Sequence, residues 1–207
     1  MTPEEFSAVF GVSRETLERL SRYEALLRQW NSRINLVARA SLGDVWARHM
    51  ADSAQLTDLA PAGVALWVDM GSGAGFPGLV VAAVLAERSP AAHVALIESD
   101  TRKCAFLARA ASAMDVAVTI QNCRIETAPP RAADVISARA LAPLDTLLRL
   151  AERFRGPRTC LLFPKGRSVE SELTEARAHW HIEARLHPSR TDPSGRIVKI
   201  HDYSARR

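Results

Sequence analysis

The chain has 207 residues, 47% of them apolar, which suits one core-forming domain with an appendage and argues against a fibrous or disordered polymer. Its 27 Lys and Arg against 23 Asp and Glu leave a formal charge of +4, compatible with an acidic partner such as nucleic acid but no proof of one. The odd, widely spaced Cys104, Cys123 and Cys160 argue against a disulfide framework or a zinc site, and neither a basic-apolar leader nor a bilayer-length apolar run is present, so a cytoplasmic protein with reduced thiols, no metal and no membrane partner is expected.

Thr2-Pro3-Glu4-Glu5 carries the cap, the first-turn proline and the acid that together open a helix, and Gly11 ends it. Ser13 caps a longer helix in which Leu17, Leu20, Leu27 and Trp30 recur at helical spacing. A third helix is expected from Ser41 to about Leu59, before Pro61 and Gly63. Trp30 and Trp46 lie among leucines at helical spacing and read as core rather than as base-stacking groups. Residues 1–62 thus form a helical appendage, and residues 63–207 the main domain.

From Leu66 apolar strands alternate with helices, the signature of an α/β fold with a mostly parallel sheet. Strands are expected at Leu66 to Met70, His93 to Glu98, Val116 to Gln121, Asp134 to Ala138 and Thr159 to Phe163. Helices fall at about Pro77 to Glu87, Thr101 to Met114, Pro143 to Phe154 and Ser168 to Ala178. His181 to His187 and Arg196 to Tyr203 close the chain as a hairpin with a long polar loop. A parallel sheet closed by an antiparallel hairpin fits the Rossmann-like, seven-stranded architecture of methyltransferases that use S-adenosylmethionine (AdoMet).

The stretch around which this pattern is organised runs from Leu66 to Gly78, a buried strand followed by glycines that let backbone approach a ligand. A dinucleotide fingerprint counted from Gly71 fails because its sixth position is Phe76, and the register Gly73, Gly75, Gly78 starts two residues late with Pro77 inside it. Asp69-x-Gly71-Ser72-Gly73-x-Gly75 instead resembles the nucleoside-binding turn of AdoMet methyltransferases. Glu98, at the tip of the next strand and 20 residues beyond Gly78, is placed to accept from both hydroxyls of a ribose.

Further segments follow in a fixed order: Trp30-Asn31, Asn35-Leu36, Arg48-His49-x-x-Asp52-Ser53, the glycine loop through Phe76-Pro77-Gly78, Glu98-Ser99, Arg102-Lys103, Phe106-Leu107, Arg124-x-Glu126, Ser137-Ala138-Arg139-Ala140 and Lys165-Gly166. Together they resemble the glucose-inhibited division protein B family, bacterial methyltransferases of guanine N7 in small-subunit ribosomal RNA. The resemblance covers nearly the whole chain and is weakest in the closing hairpin.

It implies AdoMet as cofactor, with Gly71 and Phe76 in the first loop, Glu98 at the ribose, Ile125 and Glu126 near the adenine, and Arg139 after the fourth strand. Asp69, Ser72, Gly73 and Gly75 complete the expected cofactor set. Arg139 and Lys165 are the expected target-side groups, with Arg167 a weaker one; Ala138 departs from the family's Ser-Arg-Ala and bears on where Arg139 points. Arg48, His49 and Asp52 share a helix, where His49 and Asp52 lie on one face and Arg48 can pair with Asp52; the three read either as a hydrogen-bonded cluster that docks the appendage over the cofactor or as substrate contacts.

The implied reaction needs no general base, because guanine N7 carries a free lone pair at neutral pH, so no catalytic dyad is expected. The implied partner is 16S ribosomal RNA, its guanine splayed or single-stranded, carried in a small-subunit particle and met by a monomer. Two alternatives stay open: an AdoMet methyltransferase acting on protein or a small molecule, and a non-catalytic nucleotide-binding regulator.

Overall fold

Seven strands form one sheet in a computed structural model that describes residues 1–206. They are β1 (Leu66–Met70), β2 (His93–Glu98), β3 (Val118–Asn122), β4 (Val135–Ser137), β5 (Cys160–Lys165), β6 (Trp180–Pro188) and β7 (Arg196–Ala205), in the order β3-β2-β1-β4-β5-β7-β6. All neighbours pair in parallel except β7, which is antiparallel to both β5 and β6. The helices are α1 (Pro3–Phe10), α2 (Arg14–Asn31), α3 (Asp52–Leu59), α4 (Gly78–Arg88), α5 (Thr101–Met114), α6 (Leu144–Ala151) and α7 (Val169–His179). No described helix is long and apolar enough to cross a membrane, and no three described His, Cys, Asp or Glu side chains are grouped to hold a metal ion.

Every residue of β1 is buried, as a central parallel strand covered on both faces requires. Its alternation splits the core. Trp67 joins Leu79, Leu96, Phe106 and Leu162 on one face, while Leu66, Val68 and Met70 join Leu148, Phe154 and Phe163 on the other. Phe6, Leu20, Tyr23 and Leu27 of α1 and α2 belong to the first cluster, so the N-terminal helices share a core with α4 and α5. Polar ties reinforce this: the Glu87 carboxylate accepts from the Ser13 and Thr16 hydroxyls, and Arg88 donates to the Phe10 carbonyl.

Several expected boundaries move for local reasons. The helix expected from Ser41 to Leu59 is three segments: a 3-10 turn (Arg39–Asp44), a π-helical turn (Trp46–Ala51) and α3. Where the π-helical turn ends, the Asp52 N–H bonds the His49 carbonyl, and the Arg48 carbonyl accepts from the distant Arg139 at 3.2 Å. β3 starts at Val118 because the Val116 N–H still bonds the Ala111 carbonyl behind Asp115, whose φ is 52°. β5 runs on to Lys165 because Pro164 and Lys165 pair with Ile197 and Arg196 of β7.

Candidate active site

Strand order reverses between β1 and β4, and the crevice beyond the carboxyl ends of such a pair is where ligands bind open parallel sheets. Here the crevice is a cleft of about 430 Å³ whose lining includes Gly71, Ser72, Gly73, Phe76, Glu98, Ile125, Glu126 and Arg139. Gly73 has a φ of 56°, and nothing but the Gly71 carbonyl, 3.8 Å away, faces the direction a Cβ would take. Its N–H donates to Glu98 Oε2 at 2.9 Å, and the Asp100 N–H donates to Oε1 at 2.8 Å. The Glu98 carboxylate is therefore clamped by main chain, with acceptor capacity on both oxygens left over.

Two residues of the expected cofactor set lie elsewhere. Asp69 shares the Trp67 face of β1 and is fully buried beneath the loop, accepting from the Gly78 N–H at 3.2 Å and from the Ser137 hydroxyl at 2.7 Å. Burial pushes its carboxyl up to about 6, against the pull of those hydrogen bonds. It is a buttress, tying β1 to β4 and to the start of α4. Gly75 turns inward as well: a Cβ there would stand 2.5 Å from Leu79 Cδ1 and 3.0 Å from the Tyr23 hydroxyl, so its role is close packing against the N-terminal helices.

A second, larger cleft of about 1070 Å³ opens beside the first and shares Leu36, Val37 and the run Arg139 to Ala142 with it. Lys165 and Glu172 face it from one side, the β6–β7 loop from another, and Arg48, His49 and Asp52 from a third. Arg139 stands on the dividing wall. Its Nη1 donates to Asp52 Oδ2 at 3.1 Å and to the Arg48 carbonyl, its Nη2 donates to His49 Nδ1 at 2.9 Å, and its guanidinium lies 5.0 Å over the Phe76 ring. Ala138 is buried and does not turn Arg139 away from the crevice; the kink comes one residue after Arg139, at Ala140, a non-glycine residue with a φ of 51°. In place of the Arg48–Asp52 pair that helical spacing allows, Asp52 pairs with Arg139, because the π turn shifts the register that a four-residue spacing assumes.

A guanidinium can only donate, so His49 Nδ1 accepts, and its proton sits on Nε2, which donates to Ser41 Oγ at 2.9 Å. Burial, helped by the charges of Arg139 and Arg48, lowers the His49 pKa to about 4. Lys165 is held too, donating to the Ala142 carbonyl and to Glu172 Oε2, each at 2.7 Å, with its third N–H uncommitted. Burial opposes ionisation of Glu172, but hydrogen bonds from Lys165 and Ser168 and the lysine charge outweigh it and hold the carboxyl below its ordinary value. Arg167 lines neither cleft.

Residues 16–192 match the sequence pattern of the GidB family, rRNA small subunit methyltransferase G. This chain belongs to that family.

Among its curated relatives, the ribosomal RNA small subunit methyltransferase G of Rhodospirillum centenum is 54% identical over 98% of this chain and 91% of its own length. That of Paramagnetospirillum magneticum is 50% identical over 99% of this chain and 97% of its own. The O-methyltransferase from Bacillus cereus, solved in complex with SAH, superposes with a TM-score of 0.58 at 13% identity over 88% of this chain and 91% of that one, a likeness of fold alone.

In this GidB-family chain Leu36, Val37, Leu141 and Thr191 line the clefts without a chemical signal in the sequence, and Asp52 pairs with Arg139 rather than with its helix neighbour Arg48. The Arg48-His49-x-x-Asp52-Ser53 run was the one available signal. Asp52 and Arg139 are 87 positions apart, a pairing that local spacing cannot show.

Proposed function

We propose that this chain transfers a methyl group from AdoMet to N7 of a guanine in 16S ribosomal RNA. The carrying observation is the shared wall: the cleft with the glycine turn and Glu98 and the larger polar cleft meet at Arg139 to Ala142. A donor held in one and an acceptor base in the other would face each other there. Family membership supplies the substrate class.

The residues present suit AdoMet. The space over Gly73 admits a ligand against main chain, and Glu98 keeps lone pairs for ribose hydroxyls. Ile125 offers an apolar surface for the adenine beside Glu126. When bound, the cofactor supplies a methyl carbon already activated by its sulfonium. What remains for the protein is alignment of donor and acceptor and exclusion of water. Arg139 uses three of its five N–H groups internally and Lys165 two of its three, so both keep donors for phosphate or guanine O6. His49, neutral near pH 7, orients Arg139 without adding charge.

The reading extends to context: a monomer in the cytoplasm, acting on RNA folded within a small-subunit particle, since a net charge of +4 gives little grip on naked RNA. The test incubates the purified chain with methyl-labelled AdoMet and small ribosomal subunits from cells lacking the gene, then maps N7-methylguanine. Label at one guanine is expected, with a weaker signal on protein-free RNA. Label on ribosomal protein, or none despite tight S-adenosylhomocysteine binding, would overturn it.

A further inference from the structure

Three segments distant in sequence converge on the Asp52 carboxylate. Oδ2 accepts from Arg139 at the end of β4, while Oδ1 accepts from Gln55 Nε2 at 3.0 Å and from the Thr191 hydroxyl of the β6–β7 loop at 3.1 Å. These donors are themselves anchored. Gln55 Nε2 also reaches Ser189 Oγ, Gln55 Oε1 accepts from the Arg190 N–H at 2.9 Å, and Thr191 bonds Ser189. The carboxylate is thus held by donors other than Arg139, and a fixed acceptor directs a long, flexible side chain where a mobile one could not.

We infer that Asp52 is a positioning residue for methyl transfer: by holding one end of the Arg139 guanidinium it aims the opposite edge at the wall between the two clefts. The inference rests on the function proposed above. Nη1 is consumed by Asp52 and the Arg48 carbonyl, and one Nη2 hydrogen by His49. Nε–H and the second Nη2–H remain as uncommitted donors of the group. Phe76 closes one face of the group, and His49 is stacked on the same ring at 4.9 Å, so the plane as well as the direction is set. Both members of the ion pair line the larger cleft and are less than one-fifth exposed. Loss of aim, rather than loss of binding, is the expected consequence of removing the anchor.

Asp52→Asn tests this, because the amide keeps an oxygen for Gln55 and Thr191 but turns an N–H toward Arg139. On small ribosomal subunits kcat is expected to fall about tenfold or more, with KM changed less than about threefold and S-adenosylhomocysteine affinity by calorimetry within about twofold. Arg139→Gln should fall at least as far, and the double variant no further than Arg139→Gln alone, since the aspartate acts through the arginine. A purely structural pair would lower the melting temperature without this split between kcat and KM.

Wild-type turnover in Asp52→Asn, or losses that multiply in the double variant, would overturn the inference. Should Asp52→Asn unfold at the assay temperature, Asp52→Glu replaces it in the same cycle; the charge is kept but its reach changes by one methylene, and the same non-additivity with Arg139→Gln is expected, multiplying losses again overturning it. Wild-type protein that labels no guanine N7 would instead sink the proposed function, an outcome the unsubstituted control reports separately.

Discussion

The two clefts meet at one wall yet are built on opposite plans. The smaller is made of main chain: a glycine turn, strand tips, and a carboxylate clamped by two backbone N–H groups. The larger is lined in good part by charged side chains, among them Lys165 paired with Glu172 and Arg139 paired with the distant Asp52. A turn of backbone has one shape to offer and suits a ligand that never changes. Paired side chains keep uncommitted donors facing an open cleft, which suits a bulky, charged partner.

The sharpest way to break this comparison is Glu98→Ala. It removes the carboxylate that lines the cleft and accepts from Gly73, and S-adenosylhomocysteine affinity is expected to drop about 100-fold, the equivalent of one or two charge-assisted hydrogen bonds. Unchanged calorimetric affinity would remove Glu98 from the site.

Gly78→Ala attacks the same region through its foundation. The new Cβ would stand 2.3 Å from Leu96 Cδ2 and 2.8 Å from Asp69 Oδ2, so a loss of about 2–3 kcal/mol, or about 5–10 °C in melting temperature, is expected. A wild-type melting curve would show that α4 can shift freely on the sheet.

Lys165→Ala probes the other plan. Methyl transfer to ribosomal particles should fall about tenfold while S-adenosylhomocysteine affinity stays put, because the lysine lines only the larger cleft. Parallel losses of both would make the two clefts one functional unit.

The finest test reads a slope. Asp69 titrates near 6 in the folded chain against an ordinary 3.8, so the folded state keeps a proton that the unfolded state has lost; this contribution is present below about pH 4 and disappears as pH rises through 6. His49 runs the other way: depressed to about 4 from 6.5, its contribution is present above about pH 6.5 and lost as pH falls through 4. Asp69→Asn should therefore gain melting temperature relative to wild type as pH rises from 4 to 6, and His49→Gln should show the opposite trend. Parallel profiles would remove these two groups from the pH dependence.

The smaller cleft was legible in the sequence because its chemistry is local. A strand, a seven-residue turn and the acid at the next strand tip lie in order, and strand alternation brings them to one edge. Even there the pattern could not tell which acid faces the ligand. Asp69 and Glu98 both end apolar runs, and only the path of the turn over β1 buries the first and leaves the second at the cleft. The larger cleft was mostly illegible, since Thr191 meets Asp52 across 139 positions and the π turn that presents His49 breaks the period from which helices are read. The order of elements was plain, whereas the partner of each charge was not.

The Tyr23 hydroxyl of α2 donates to the Ala74 carbonyl in the middle of the glycine turn, and its ring lies 5.2 Å from that of Phe76. The turn thus leans on a helix that precedes the sheet by some forty residues. A fragment trimmed to begin at the first strand would keep every glycine of that turn and still lose the floor beneath them, so the smallest working enzyme has to include the N-terminal helices.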